Sequence, residues 1–188
     1  MHGIPAQAVM ERRFSVVVGD LTASDAQAIV NASDEVLSGR GGVDAAIHAA
    51  AGPELASACR ALTPLAPGQT VVTPGFRLKA AWIFHTVGPR WQGGSAGEAA
   101  VLARCYRSCL AQAERLRLNT LDFCSLSTGV FGYPEVPAAT VAEKAIMEFL
   151  YDHPFPRRVR MVCRRPETAQ VYRQVYNQWY AVSKEDRL

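Results

Sequence analysis

Six short apolar runs constrain what this chain can fold into: Phe14–Val18, Ala28–Asn31, Thr70–Thr73, Trp82–Val87, Leu121–Leu126 and Val159–Cys163. Most are continuously apolar rather than alternating, as in strands covered on both faces. Helical patterns separate them. Val43–Ala51 is Ala-rich and stops at Gly52-Pro53, and Glu54–Leu62 follows with Pro53 as an initial helical residue. Gly97–Leu116 repeats Val101, Leu102, Cys105, Cys109, Leu110, Ala113 and Leu116 at helical spacing, and Val136–Tyr151 and Thr168–Tyr180 are built likewise. Strands alternating with helices predict an α/β sandwich, a mostly parallel sheet between helical layers.

The 188 residues are 49% hydrophobic and 20% charged, which excludes a disordered chain and suits one packed domain. No repeat or linker divides them, so residues 13–182 are expected as a single domain, with 1–12 and 183–188 as loose ends. No apolar run approaches the roughly 18–20 residues that cross a bilayer, so no membrane association is expected. Residues 1–14 lack the apolar stretch of a signal peptide. The five cysteines form no C-x-x-C pair. Their odd number and scattered spacing argue for core thiols in a reducing cytoplasm rather than a disulfide framework or a metal site. A net charge of +3 suits a small anionic ligand. No nucleic-acid-binding motif accompanies the cluster Arg157, Arg158, Arg160, Arg164 and Arg165, so nucleic acid is not expected as a partner.

In an open α/β sheet, ligands sit beyond the carboxyl ends of the strands. Three segments there are rich in chemistry: Gly19–Thr22; Asn31–Asp44 running into a helix that carries His48; and Ser127–Pro134. Glycines beside a helix start allow close backbone approach to an anion, and two such loops at one sheet edge make a diphosphate cradle. Neither loop is a G-x-G-x-x-G fingerprint, and no G-K-[ST] follows. NAD-dependent redox chemistry and P-loop ATP hydrolysis are therefore disfavoured.

Together with His85–Pro89, these stretches resemble the macrodomain family of ADP-ribose-binding modules, and within it the MacroD-type ADP-ribosyl hydrolases. The matches are Gly19–Thr22 to G-D-I-T, Ile29–Gly52 to the I-V-N-A-A-N…G-G-G-G-V-D…H-x-A-A-G stretch, His85–Pro89 to H-T-V-G-P, and Ser127–Pro134 to S-T-G-I-F/Y-G-Y-P. The resemblance implies a three-layer α/β/α sandwich with a mixed, about six-stranded sheet. It implies binding of ADP-ribose and hydrolysis of its esters, on acidic protein side chains or in O-acetyl-ADP-ribose, with no metal or other cofactor.

By that resemblance, Asp20 and the Leu21 backbone meet the adenine. Asn31, Ala32 and Ser33 shape the first loop. Gly39, Arg40, Gly41, Gly42 and Val43, together with Ser127, Thr128, Gly129, Val130, Phe131, Gly132 and Tyr133, hold the diphosphate and distal ribose. Asp44 orients a water at the scissile bond; His48, one helical turn along, holds Asp44 or the loop and is grouped with the catalytic residues; His85 is structural. Three departures stand out. Asp34 replaces the second Asn of N-A-A-N, a ribose-contacting position grouped here with the catalytic residues. Arg40 replaces a glycine and supplies an opposite charge that compensates Asp34. Arg164 falls where an aromatic often stacks on adenine, and a guanidinium can also stack on a base. The alternative reading, favoured by Asp34, is a non-catalytic ADP-ribose reader.

Overall fold

The computed structural model describes residues 13–185, with side chains as far as residue 178. The expected loose segment 1–12 and residues 186–188 of the expected tail lie outside the described residues, whereas 183–185, expected to be loose, continue the last helix. Six strands form one sheet: β1 (Phe14–Val18), β2 (Ala28–Ala32), β3 (Thr70–Pro74), β4 (Trp82–Thr86), β5 (Thr120–Phe123) and β6 (Arg158–Cys163). Their order is β1-β6-β5-β2-β4-β3, with only β3 antiparallel to its neighbour. The helices are α1 (Gly42–Ala51), α2 (Pro53–Arg60), α3 (Glu98–Arg115), α4 (Glu135–Asp152) and α5 (Pro166–Glu185), with a 3₁₀ turn at Leu21–Ala23. The sandwich and its mixed sheet are as expected.

Crossover direction sets the layers. From β2 the chain moves toward β4 through α1 and α2, whereas β4 to β5 and β5 to β6 move the other way through α3 and α4. Right-handed crossovers then put α1 and α2 on one face and α3 and α4 on the other, where α5 packs beside α4. The direction reverses between the paired strands β5 and β2. The loops leaving these two strands diverge to opposite faces and open a crevice there.

The strands are continuously apolar because both faces are covered: Ile29, Ile83, Phe84, Leu121 and Phe123 are at most 1% exposed. Each such side chain contributes about 1.5–3 kcal/mol by leaving water. Cys105 and Cys109 are fully buried on α3 as core thiols. The expected strand Leu121–Leu126 leaves the ladder at Phe123, because Cys124 and Ser125 turn to the crevice wall while Leu126 stays buried in the core. In the arginine cluster, Arg160 is committed to structure. Its guanidinium binds the buried Asp122 carboxylate at 2.8 and 2.7 Å and reaches Asp25 at 2.5 Å.

Candidate functional site

The crevice is a cleft of about 700 Å³ along the carboxyl ends of the parallel strands. In sheet order its walls come from Asp20 after β1, Arg164 after β6, Ser125–Phe131 after β5, Ala32–Asp44 around β2, and Gly88 and Arg90 after β4. Five strand ends span four spacings of roughly 4.8 Å, about 19 Å in all. That length suits an elongated ligand rather than a single ring.

At the β1 end, Asp20 caps the 3₁₀ turn, its Oδ1 accepting from Thr22 N at 2.9 Å and Thr22 Oγ1 at 2.8 Å. These bonds, with the Arg164 charge adding, hold its carboxyl below the usual range. Arg164 lies on the cleft wall, while Arg165 is turned to Glu135 at 2.5 Å. This end therefore offers an anionic acceptor and a cationic side chain that share one wall.

In the loop before α1, Gly39, Gly41 and Gly42 have φ of 69°, 75° and 54°, a region that a Cβ disfavours. Arg40 does not share that backbone state, so an arginine fits where the family pattern has glycine. Arg40 and Asp34 both line the cleft but form no ion pair within 4 Å among the described residues. Asp34 instead accepts from Ser38 N at 2.9 Å and from Ser38 Oγ. Burial pushes its carboxyl up, but the Ser38 bonds, a Val36 N–H and the Arg40 charge outweigh that and leave it low.

The facing loop starts at Ser127, whose φ of 64° is unusual for a side-chain-bearing residue. It closes with Tyr133 N–H donating to Ser127 O at 3.0 Å and Gly132 N–H to Gly129 O at 2.9 Å. Gly88 lies under it: a Cβ there would sit 2.0 Å from Ser127 Oγ. Phe131 O accepts from Trp91 N at 2.9 Å, and the Arg90 guanidinium stacks 4.3 Å over the Phe131 ring. Val130 is 87% exposed on the lip.

Asp44 sits in the first turn of α1 at the floor, 3% exposed, where the helix N-terminus favours negative charge. Its Oδ1 accepts from Asn31 Nδ2 at 2.6 Å and lies 3.4 Å from Ser33 Oγ and 3.6 Å from His48 Nε2. Burial raises its pKa above the usual carboxylate range, against the Asn31 bond and the His48 charge. A carboxylate so placed can hold and deprotonate a water.

Most of the residues expected from the sequence thus converge: Asp20, Leu21, Ala32, Ser33, Asp34, Arg40–Asp44, Ser127–Phe131 and Arg164 all line one cleft. Five do not reach its wall. Asn31 is fully buried behind Asp44. Gly39 packs on the His48 ring, where a Cβ would come within 2.7 Å. His48 stands behind Asp44, Gly132 is in the turn, and Tyr133 packs on Trp91 at 4.6 Å between ring centres. Sequence reading missed Gly88, Arg90, Ser125 and Thr168 as lining residues. Position after β4 was the available signal for Gly88 and Arg90.

The macro domain family model matches residues 30–142. The O-acetyl-ADP-ribose deacetylase of Salmonella gallinarum is 42% identical over 173 residues, covering 90% of this chain and 97% of that protein. The protein of the same name from an Enterobacter species is 44% identical over 170 residues, covering 88% and 94%. Among solved structures, the Oceanobacillus iheyensis macrodomain with ADP superposes with a TM-score of 0.85 at 38% identity, covering 90% of this chain and 91% of that one. The Trypanosoma brucei macrodomain in complex with ADP-ribose gives 0.83 at 34% identity, covering 88% and 70%. The switch-point cleft, its two glycine loops and these likenesses agree, and the chain belongs to the macro domain family.

Proposed function

We propose that this protein binds ADP-ribose and hydrolyses its esters in the manner of a MacroD-type enzyme. Its substrates are O-acetyl-ADP-ribose and mono-ADP-ribose on acidic side chains of proteins. The observation that carries the reading is the buried Asp44 carboxylate on the floor of a cleft walled by two glycine loops. Adenine lies between Asp20 and Arg164, the diphosphate between the loops, and the distal ribose by Phe131, Asp34 and Asp44. Asp44 takes a proton from water as the hydroxyl adds to the ester carbonyl. The acyl–oxygen bond then breaks, giving a carboxylate and ADP-ribose, with one proton released overall. Backbone N–H groups of the loops offset phosphate charge, so no metal or other cofactor enters the scheme. Residues 13–182 act as one domain, and five free, buried thiols suit a reducing cytoplasm.

Incubation with O-acetyl-ADP-ribose, and separately with a mono-ADP-ribosylated acidic-residue substrate, tests this by release of ADP-ribose. Turnover of at least one is expected; turnover of neither, with ADP-ribose still bound, leaves the second reading. That reading, a non-catalytic reader, is favoured by the ionised Asp34 at the distal end.

Two binding results follow from the cleft. Arg164→Ala is expected to weaken ADP-ribose binding at least about five-fold in calorimetry, since stacking on a base is worth about 1–3 kcal/mol. Unchanged affinity would return Arg164 to a solvated surface role. Gly88→Ala is expected to weaken ADP-ribose more than AMP, because its Cβ displaces Ser127 from the diphosphate loop. An equal loss for both ligands would place the loop elsewhere.

A further inference from the structure

Behind Asp44 a line of buried side chains crosses the sheet. Asn31 on β2 is paired in register with His85 on β4, and Thr73 lies on the antiparallel β3 beyond. All three are at most 1% exposed and none lines the cleft. Asn31 Nδ2 lies 2.6 Å from Asp44 Oδ1, 2.9 Å from Ser33 Oγ and 3.1 Å from His85 Nδ1, and His85 Nε2 lies 2.9 Å from Thr73 Oγ1. An amide nitrogen has two hydrogens and only donates. Ser33 Oγ and Asp44 Oδ1 are 3.4 Å apart and share one of them; the other goes to His85. His85 Nδ1 must then be bare, and the ring proton sits on Nε2, donating to Thr73. The reverse amide orientation would set a carbonyl oxygen 2.6 Å from the carboxylate, two acceptors in repulsion.

We propose that His85, kept as the Nε2–H tautomer by Thr73, is the positioning residue for Asp44: its bare Nδ1 holds the Asn31 amide with N–H groups toward the carboxylate. This rests on the reading of Asp44 as the group that orients water. Burial, with His48 adding, pushes His85 down to about 3, so the ring stays neutral where the enzyme works. The tautomer is therefore set by its partners and not by pH. Other titratable groups around Asp44 are His48 on its own helix, Asp34 after β2, Cys59 of α2 and Cys124 after β5. Burial pushes the Cys59 thiol up to about 11, with the Asp44 charge adding. Both thiols are raised and stay neutral; of the other two groups, Asp34 raises the Asp44 pKa and His48 lowers it.

The test uses the whole chain and three variants: Thr73→Val, which removes the hydroxyl acceptor and leaves Nε2–H only the Cys59 sulfur 4.0 Å away; Thr73→Ser, which restores a hydroxyl; and His85→Phe, which deletes the ring nitrogens. Nitrogen NMR of His85 gives its tautomer, carbon NMR of the Asp44 carboxyl gives its titration midpoint, and kcat/KM is followed against pH. In the wild type a bare Nδ1 and a protonated Nε2 are expected, with Thr73→Ser the same. Thr73→Val and His85→Phe are expected to raise the Asp44 midpoint by about one pH unit, a ten-fold weaker hold on the ionised form. Below that midpoint kcat/KM falls about ten-fold while ADP-ribose affinity holds. A merely structural role would lower thermal stability without moving the midpoint. If His85→Phe does not fold, Thr73→Val alone decides. A wild-type proton on Nδ1, or an identical Asp44 titration in Thr73→Val, overturns the proposal. The expected NMR results with no ester turnover would uphold the positioning of Asp44 and remove only the hydrolase reading.

Discussion

Asp44→Asn is expected to lose ester hydrolysis by about 10²–10⁴-fold, the range supplied by a positioned acid–base group, while binding ADP-ribose nearly as well as the wild type. The substitution keeps the side-chain volume and leaves an oxygen to accept from Asn31. On the proposed mechanism, it removes the charge that takes the proton from water. On the proposed reading, phosphate is held by the loop backbones, which the substitution does not touch. In the wild type, kcat/KM should fall as pH drops through the Asp44 pKa, since only the ionised form acts as base. Burial raises that pKa, so the acid limb should lie above the roughly 4 of an exposed aspartate. Turnover assays with calorimetry on both proteins check the result. Wild-type turnover in Asp44→Asn would end the role assigned to this carboxylate.

The strands were legible because the central ones are covered on both faces and so read as nearly unbroken apolar runs; the helix–strand alternation then determined the layers. The failures lie where apolar sequence does not mean ladder. Cys124–Leu126 follows the β5 run, but Cys124 and Ser125 turn to the cleft wall at the switch point, a feature of strand order that no local window contains. Asp20, the glycine loops and Asp44 were legible from motif and from their place after strands. Arg90 was not, because its contact with Phe131 joins segments brought together only by the sheet. The same is true of Asn31 and His85, adjacent only through the pairing of β2 with β4. Arg40 and Asp34 share the cleft without an ion pair: Asp34 takes Ser38 as its hydrogen-bond partner, while the Arg40 charge helps hold its carboxyl low. Nothing in the Ala-rich repeat of Val136–Tyr151 marked its one buried carboxyl.

That carboxyl, Glu143, gives the second large effect. It is fully buried on α4, which packs between α3 and α5, and neither oxygen has a hydrogen-bond partner among the described residues. Burial alone pushes its pKa up to about 8. The folded protein therefore holds Glu143 protonated at neutral pH, while the unfolded chain ionises near the ordinary value of about 4.3. The sign follows from linkage: for a carboxyl raised on folding, the unfolded state binds fewer protons between the two pKa values. Stability then falls as pH rises from about 4.3 to about 8, and the loss levels off above. At roughly 1.4 kcal/mol per unit, the full loss is several kcal/mol. Glu143→Gln cannot ionise and should flatten this part of the stability–pH curve. Glu143→Leu should flatten it too and raise stability overall, because an apolar side chain of similar size leaves no polar group unpaired. Near pH 8.5 the Leu variant should melt on the order of 10 °C above the wild type, at about 2–4 °C per kcal/mol for a domain of this size. Since Glu143 does not line the cleft, ADP-ribose affinity should be unchanged in both variants. Thermal unfolding from pH 5 to 9 checks the slope, and a Glu143→Gln curve parallel to the wild type would show that another group carries the pH dependence.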